Sequence, residues 1–327
     1  MVARRKRNVS LALQGGGSHG AYAWGVLDAF LADGRLEITG ISGTSAGSVN
    51  AVVYAYGRMI GGIDGARELL HTFWKRLSDS GAGFNYPEAF QAFKAMTGSV
   101  SPYQWNPFNW NPFRQALVDT VDFERLRTDK LTRLFLAATN VETGKARVFT
   151  TPEVSADVVM ASSCLPFLFQ AVEIEGQHYW DGGYMGNPAL YPLFYETASR
   201  DVIIIHINPI ERKGVPRQAH EIENRLNEVT FNSSLIKELR AVAFVQKLLE
   251  EGWLKDEYAD KLKHVLIHSV RADKVLGDLS VPSKFSLEWN FLRELHQRGL
   301  ATGAEWLEAN YKHIGKRSSI DVRKEFL

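Results

Sequence analysis

A chain of 327 residues, 45% hydrophobic and 23% charged, can bury a sizeable interior as one large domain or as a core with an appendage. Its 38 basic and 37 acidic side chains leave a formal net charge of +1, which excludes a global pull toward nucleic acid. Cys164 is the only cysteine, so neither an intrachain disulfide nor a cysteine metal cluster can form, and a reducing compartment is allowed.

Basic residues gather at both ends, Arg4-Arg5-Lys6-Arg7 and Lys316-Arg317 with Arg323-Lys324, as solvated termini or as contacts for anionic lipid. The basic start and Val9-Ser10-Leu11-Ala12-Leu13 imitate a secretory signal. That apolar run is short and meets glycines rather than a cleavage site, so it reads as the first strand. No stretch reaches the ~18 consecutive apolar residues of a spanning helix. The expectation is a cytoplasmic protein, with any membrane contact peripheral at the inner surface.

Gln14-Gly15-Gly16-Gly17-Ser18-His19-Gly20 comes next, ahead of an apolar helical run over residues 21–31. Gly15-x-Gly17-x-x-Gly20 matches the dinucleotide fingerprint, and Glu37 lies near the distance of a ribose-binding acid, although it opens the following run instead of closing it. Glycine amides at a helix start converge equally well on an oxyanion, and the loop alone does not choose.

Residues 36–41 read as a strand and 46–59 as a buried helix. Between them Gly43-Thr44-Ser45-Ala46-Gly47 fits G-x-S-x-G, either a tight strand-to-helix turn or one that holds a serine Oγ out toward a carbonyl. The helix start would point N–H groups at an oxyanion formed there. Residues 64–77 repeat apolar side chains three and four apart, as a helix does. Residues 78–113 crowd Phe84, Tyr86, Phe90, Phe93, Tyr103, Trp105, Phe108, Trp110 and Phe113 among glycines and prolines. Such a segment covers an acyl-chain cleft, meets a bilayer interface, or forms a satellite core.

Residues 134–140 and 146–149 form one expected hairpin. A short helix follows at 154–163, and a second hairpin, 171–174 with 178–180, delivers the chain to Asp181-Gly182-Gly183. Residues 202–208 are an almost wholly apolar strand, as expected where helices cover both faces. Alternation through residue 208 implies a three-layer α/β core. Beyond Glu211 come a long charged helix over 220–251, a last strand at 265–268 and a helix pair over 291–311, as a packing layer or dimerisation face. The division expected is therefore a core of residues 8–210 and a mostly helical extension, 211–327, packed on it.

A nucleophilic serine needs a base and oxyanion donors. Asp181 is the candidate base, because desolvation raises a carboxylate's proton affinity; the plain alternative is an Asp-Gly turn. Among the histidines, His178 alternates with Tyr179 and faces away from Asp181, while His206 and His268 lie in apolar strands. Chain order also argues against the usual α/β-hydrolase triad.

In sequence order, strand-Gly15-Gly16-Gly17-Ser18-His19-Gly20, strand-Gly43-Thr44-Ser45-Ala46-Gly47 and hairpin-Asp181-Gly182-Gly183 with Asn187-Pro188 resemble the patatin-like phospholipase family. Thr139-Asn140 with Thr143-Gly144, and Ala161-Ser162-Ser163-Cys164-Leu165-Pro166, add to a likeness that spans about residues 8–210. The tail resembles only a bacterial subset. The resemblance implies a three-layer α/β/α fold with a mostly parallel sheet, and hydrolysis of lipid acyl esters through an acyl-enzyme without metal or nucleotide. It makes Ser45 the nucleophile and Asp181 the general base. The oxyanion hole falls to the loop of Gly15, Gly16 and Gly17, chiefly the latter two, with Ala46; Gly20, Gly43, Gly47, Gly182 and Gly183 complete the motifs. His19 stands where the family usually carries Arg or Lys, and is expected to contact the loop or a lipid headgroup. The partners expected are a lipid ester substrate and a membrane surface, not nucleic acid. Two other functions remain in view: dinucleotide binding through Gly15, Gly17, Gly20 and Glu37, and a catalytically silent lipid-binding module.

Overall fold

A computed structural model describes residues 6–81, 100–253 and 261–326. Its strands are β1 (Arg7–Leu13), β2 (Leu36–Gly43), β3 (Arg133–Asn140), β4 (Ala146–Thr150), β5 (Val172–Ile174), β6 (Gln177–Asp181), β7 (Asp201–Ile205) and β8 (Leu266–Val270). The helices are α1 (Gly20–Asp33), α2 (Ala46–Asp79), α3 (Pro102–Trp105), α4 (Pro112–Val118), α5 (Phe123–Leu126), α6 (Ala156–Ser162), α7 (Tyr191–Glu196), α8 (Ala219–Glu250), α9 (Trp289–Asn310) and α10 (Val322–Phe326).

The strands make one mixed, mostly parallel sheet in the order β5-β6-β3-β2-β1-β7-β8, with β4 also on β3. β1 pairs in parallel with β2 and β7, β2 with β3, and β7 with β8, while the two hairpins are antiparallel. Period-two alternation sorts the central strands into two cores. Leu11, Leu13, Ile203 and Ile205 join α1, α2 and α9 on one face; Ala12, Val202 and Ile204 join α8 and α10 on the other. This is the three-layer α/β arrangement expected from the alternation of elements.

The segment after residue 211 contributes more than an outer packing layer. β8 extends the sheet beside β7, α8 and α10 supply much of one layer, and α9 lies along α1. That last contact is made by small residues. A Cβ on Gly25 would run into the carbonyl of His296, one on Gly299 into that of Tyr22, and one on Gly303 would sit 2.8 Å from the Ala29 Cβ. The helix backbones therefore approach as closely as their own atoms allow.

The helices expected at 46–59 and 64–77 are the two halves of α2, separated by a kink at Gly62 with φ +65°, a conformation that glycine adopts without steric cost. Other boundaries differ from expectation. The pair expected over 291–311 is the single helix α9, in which Gly299 and Gly303 are packing positions against α1. Of the aromatic segment, residues 82–99 lie outside the described residues, and with them Phe84, Tyr86, Phe90 and Phe93.

Topology also decides against Glu37 as a ribose-binding acid. The glycine loop follows the last residue of β1, whereas Glu37 pairs with Asn8 at that strand's first turn of register, on the opposite edge of the sheet. Its carboxylate is held there by Lys6 at 3.1 Å and Arg58 at 2.7 Å. A ligand on the loop is out of its reach.

Candidate active site

β1 and β2 run in parallel and end side by side, so the loops leaving them share one edge of the sheet. β7, on the other side of β1, makes this a point where the chain leaves neighbouring strands in opposite directions, and crevices form there. Asp181 arrives from the antiparallel β6, paired with Ala138 of β3, whose Leu136 faces Gly43 of β2. Strand register thus carries Asp181 to the turn after β2, across 136 positions of sequence.

That turn is sharp. Ser45 has φ +54° and ψ −124°, a combination that costs a non-glycine residue about 1–3 kcal/mol and that surrounding contacts must hold. Its N–H donates to Ser162 Oγ at 3.0 Å, and Thr44 Oγ1 donates to the Gly186 carbonyl at 2.5 Å. The flanking glycines are demanded by close approach: a Cβ on Gly43 would lie 2.6 Å from the Gly47 carbonyl, and one on Gly47 would strike the carbonyl of Leu13. Ser45 and Asp181 line the same cleft, and the Ser45 side chain opposes the upward shift of the Asp181 carboxyl.

Asp181 is 1% exposed. Its own N–H donates to the Cys164 carbonyl at 2.7 Å, and its Oδ1 accepts the Gly183 N–H at 2.7 Å. Burial pushes the carboxyl up to about 7, against the opposing pull of the Gly183 N–H, the Ser45 hydroxyl and the Lys284 charge. Gly182 and Gly183 leave room for Ala137 and Phe231; a Cβ on Gly183 would sit 2.6 Å from the Phe231 Cδ1.

The glycine loop faces the same space. Gly16, Gly17, Ser45, Ala46 and Asp181 line one cleft of about 490 Å³. Gly17 has φ +57°, and a Cβ on it would run into the carbonyl of Lys284. Gly20 opens α1 against Ala46, where a Cβ would lie 2.6 Å from the Ala46 Cβ. Gly15, expected to join the oxyanion donors, is engaged elsewhere: its N–H donates to Asn187 Oδ1 at 2.7 Å and its carbonyl accepts Asn208 Nδ2 at 2.8 Å. Gly15 is an anchor of the loop, and its donor points away from the cleft's chemistry.

His19 is likewise not at the cleft. It is 4% exposed, and its Nε2 lies 2.8 Å from Ser283 Oγ. Burial, with the Lys284 charge adding to it, pushes the imidazole down to about 3, so the ring is neutral. Among the described residues lining the cleft there is no histidine. His178 lies 3.9 Å from Glu142, His268 is paired with Asp201 at 2.9 Å, and His206 is buried.

The cleft wall is largely apolar. Trp105, Trp110 and Phe113, from the described part of the aromatic segment, face it together with Leu165, Leu168 and Phe169. Phe108 and Phe167, in the same two stretches, are 94% and 81% exposed.

Sequence reasoning missed Lys284, Asn208, Asn227 and Phe231, all on or beside this site. Lys284 Nζ donates to Asn208 Oδ1 at 2.8 Å and Asn227 Oδ1 at 2.7 Å. Nothing local distinguishes this lysine from the other charged residues of the tail.

A family model described as patatin-like phospholipase matches residues 11–194. Two solved structures are similar in fold. VipD from Legionella pneumophila has 14% identity and a TM-score of 0.40 over 94% of this chain and 67% of that one. ExoU in complex with SpcU, from the type III secretion system of Pseudomonas aeruginosa, has 16% identity and a TM-score of 0.38 over 93% of this chain and 53% of that one. This chain thus spans about two thirds of the first and about half of the second. No curated protein matches it.

Proposed function

The chain belongs to the patatin-like phospholipase family, a family of lipid hydrolases, and from that membership we propose that it is a serine lipid acyl hydrolase working through Ser45 and Asp181. The observation that carries this reading is that Ser45, on its sharp turn, shares a cleft with a carboxylate that burial has made unusually basic. Residues 8–210 hold both groups.

Asp181 takes the hydroxyl proton as Ser45 Oγ attacks the ester carbonyl. The negative charge moves to the carbonyl oxygen, where the N–H groups of Gly16 and Gly17 in the glycine loop and of Ala46 at the start of α2 receive it. The protonated Asp181 then donates to the departing alcohol oxygen, leaving an ester between the acyl group and Ser45. Water enters, loses a proton to Asp181 and attacks that ester; the second tetrahedral species collapses to fatty acid and free serine. A carboxyl near 7 suits both halves, since it must accept and return a proton at neutral pH. The apolar wall takes the acyl chain. Exposed Phe108 and Phe167, beside cleft-lining residues, fit a peripheral contact with the lipid surface that supplies the substrate.

Ser45→Ala tests the reading. It should abolish hydrolysis of a p-nitrophenyl acyl ester, fatty-acid release from a mixed lipid extract read by mass spectrometry, and labelling by a fluorophosphonate. Hydrolysis by the variant at the wild-type rate would overturn the assignment. Vesicle binding that survives the substitution, with no turnover by either protein, would instead favour a silent lipid-binding module.

A further inference from the structure

We propose that Lys284 is a positioning residue of this site: it clamps the glycine loop from outside and supplies, from the C-terminal segment, the positive charge that His19 does not. The inference rests on the reading of Ser45 and Asp181 given above, and five contacts carry it. The Lys284 ammonium donates to Asn208 Oδ1 at 2.8 Å, and the amide of the same asparagine donates to the Gly15 carbonyl at 2.8 Å, so the lysine holds the loop through one intermediary. Its second acceptor is Asn227 Oδ1 of α8, at 2.7 Å. Its main-chain carbonyl packs on Gly17 where a side chain would otherwise stand. The preceding residue, Ser283, bonds to His19 at 2.8 Å. A short 3-10 turn, Val281–Phe285, is thereby docked on the turn Gly17–His19 at both its side chains and its backbone.

Lys284 is also the sole cation among the described residues lining the cleft. Glycine amides can serve an oxyanion only while the loop keeps them converged, and a loop of three consecutive glycines has little stiffness of its own. The lysine meets both needs. It fixes the loop against α8, and its charge faces a site that carries one negative charge throughout the reaction, first on Asp181 and then on the oxyanion. The groups facing it are Asp181, Glu228 with its partner Arg212, and the neutral His19. Those facing Asp181 are Ser45, the Gly183 N–H, Lys284, the Cys164 thiol and Tyr184.

The experiment compares wild type, Lys284→Met, Lys284→Gln and Lys284→Arg on a p-nitrophenyl ester across pH, with Ser45→Ala as control and Tm measured for each. With the cation gone, kcat should fall about tenfold or more while KM changes less than about threefold. The acid limb of the kcat profile should move to higher pH, because the charge favouring the Asp181 carboxylate is lost. Lys284→Arg should keep the limb at its wild-type position. A merely structural lysine lowers Tm and leaves the limb unmoved in the remaining activity. Should Lys284→Met fail to fold, Lys284→Gln, whose amide still reaches toward Asn208, gives the same two readings. Wild-type kcat and an unmoved limb in a folded neutral variant overturn the proposal. If Ser45→Ala is itself active, the reading of the site fails instead, so the two failures are distinct.

Discussion

The hydroxyl of Ser162, the last residue of α6, accepts the main-chain N–H of Ser45 at 3.0 Å. A side chain 117 positions away thus holds the peptide of a residue whose own φ and ψ are unfavourable, and its removal leaves that N–H without a partner. Ser162→Ala should lower stability by about 1–2 kcal/mol in urea denaturation. It should also slow fluorophosphonate labelling of Ser45, because the turn would relax toward ordinary dihedrals. Labelling at an unchanged rate would show that the turn holds itself.

Gly17→Ala should be more damaging to turnover than to folding. The position combines φ +57° with a carbonyl where a Cβ would go, so the loop must shift. The left-handed conformation alone costs alanine roughly 1–2 kcal/mol. Far-UV circular dichroism should remain that of the wild type, while kcat on a p-nitrophenyl ester should fall by about a hundredfold, the loss associated with one misplaced oxyanion donor.

Asp181 ties activity to pH and, in the opposite sense, ties stability to pH. The carboxyl is raised from 3.8 to about 7 in the fold, so between those values the folded chain holds a proton that the unfolded chain has released. Stability from this group is therefore greatest below about 4 and is lost as pH rises toward 7. Ester hydrolysis, which needs the ionised form, should rise over the upper part of the same interval, with its acid limb near 7. Asp181→Asn should raise stability at pH 8 by an amount on the order of a few kcal/mol and should nearly abolish kcat. Matched thermal melts at pH 5 and pH 8 check this: the gap between variant and wild type must grow with pH. Glu238, also pushed up to about 7 by burial, contributes the same trend in both proteins and so cancels in the comparison.

Gly299→Leu should separate α9 from α1. The Tyr22 carbonyl occupies the space a side chain would need, and Gly25 of α1 lies opposite. Overpacking of this kind costs about 1–3 kcal/mol, more when backbone is the obstacle. A lower urea midpoint is the expected result. Because Ser162 meets the turn at Ser45 while Gly299 meets Tyr22 and Gly25 of α1, the two contacts share no partner, and the Ser162→Ala and Gly299→Leu losses should add within about 0.5 kcal/mol in the double variant.

Much of this was legible along the chain. The apolar runs at 9–13 and 202–205 announced central strands, since only a sheet covered on both faces buries every residue of a strand. Gly43 and Gly47 around Ser45 announced the turn, because each answers a steric demand within a few residues of itself or from the adjoining strand. The single helix α9, expected as a pair, was not legible: Gly299 and Gly303 answer a steric demand from α1, a partner that no local spacing names.

By itself the sequence determined which groups have the chemistry, a serine on a tight turn, a desolvated aspartate and a run of glycine amides, and the order in which strands and helices alternate. Those are properties of residue type and short spacing. Only the tertiary structure decided which of them share a cleft. It turned Gly15 and His19 inward, left Glu37 at the far edge of the sheet, and brought Ser162, Asn208 and Lys284 to the turn and the glycine loop. The physical reason is that strand register and the docking of the C-terminal segment fix contacts between residues separated by more than a hundred positions, and no local pattern encodes the partner of a hydrogen bond made across such a distance.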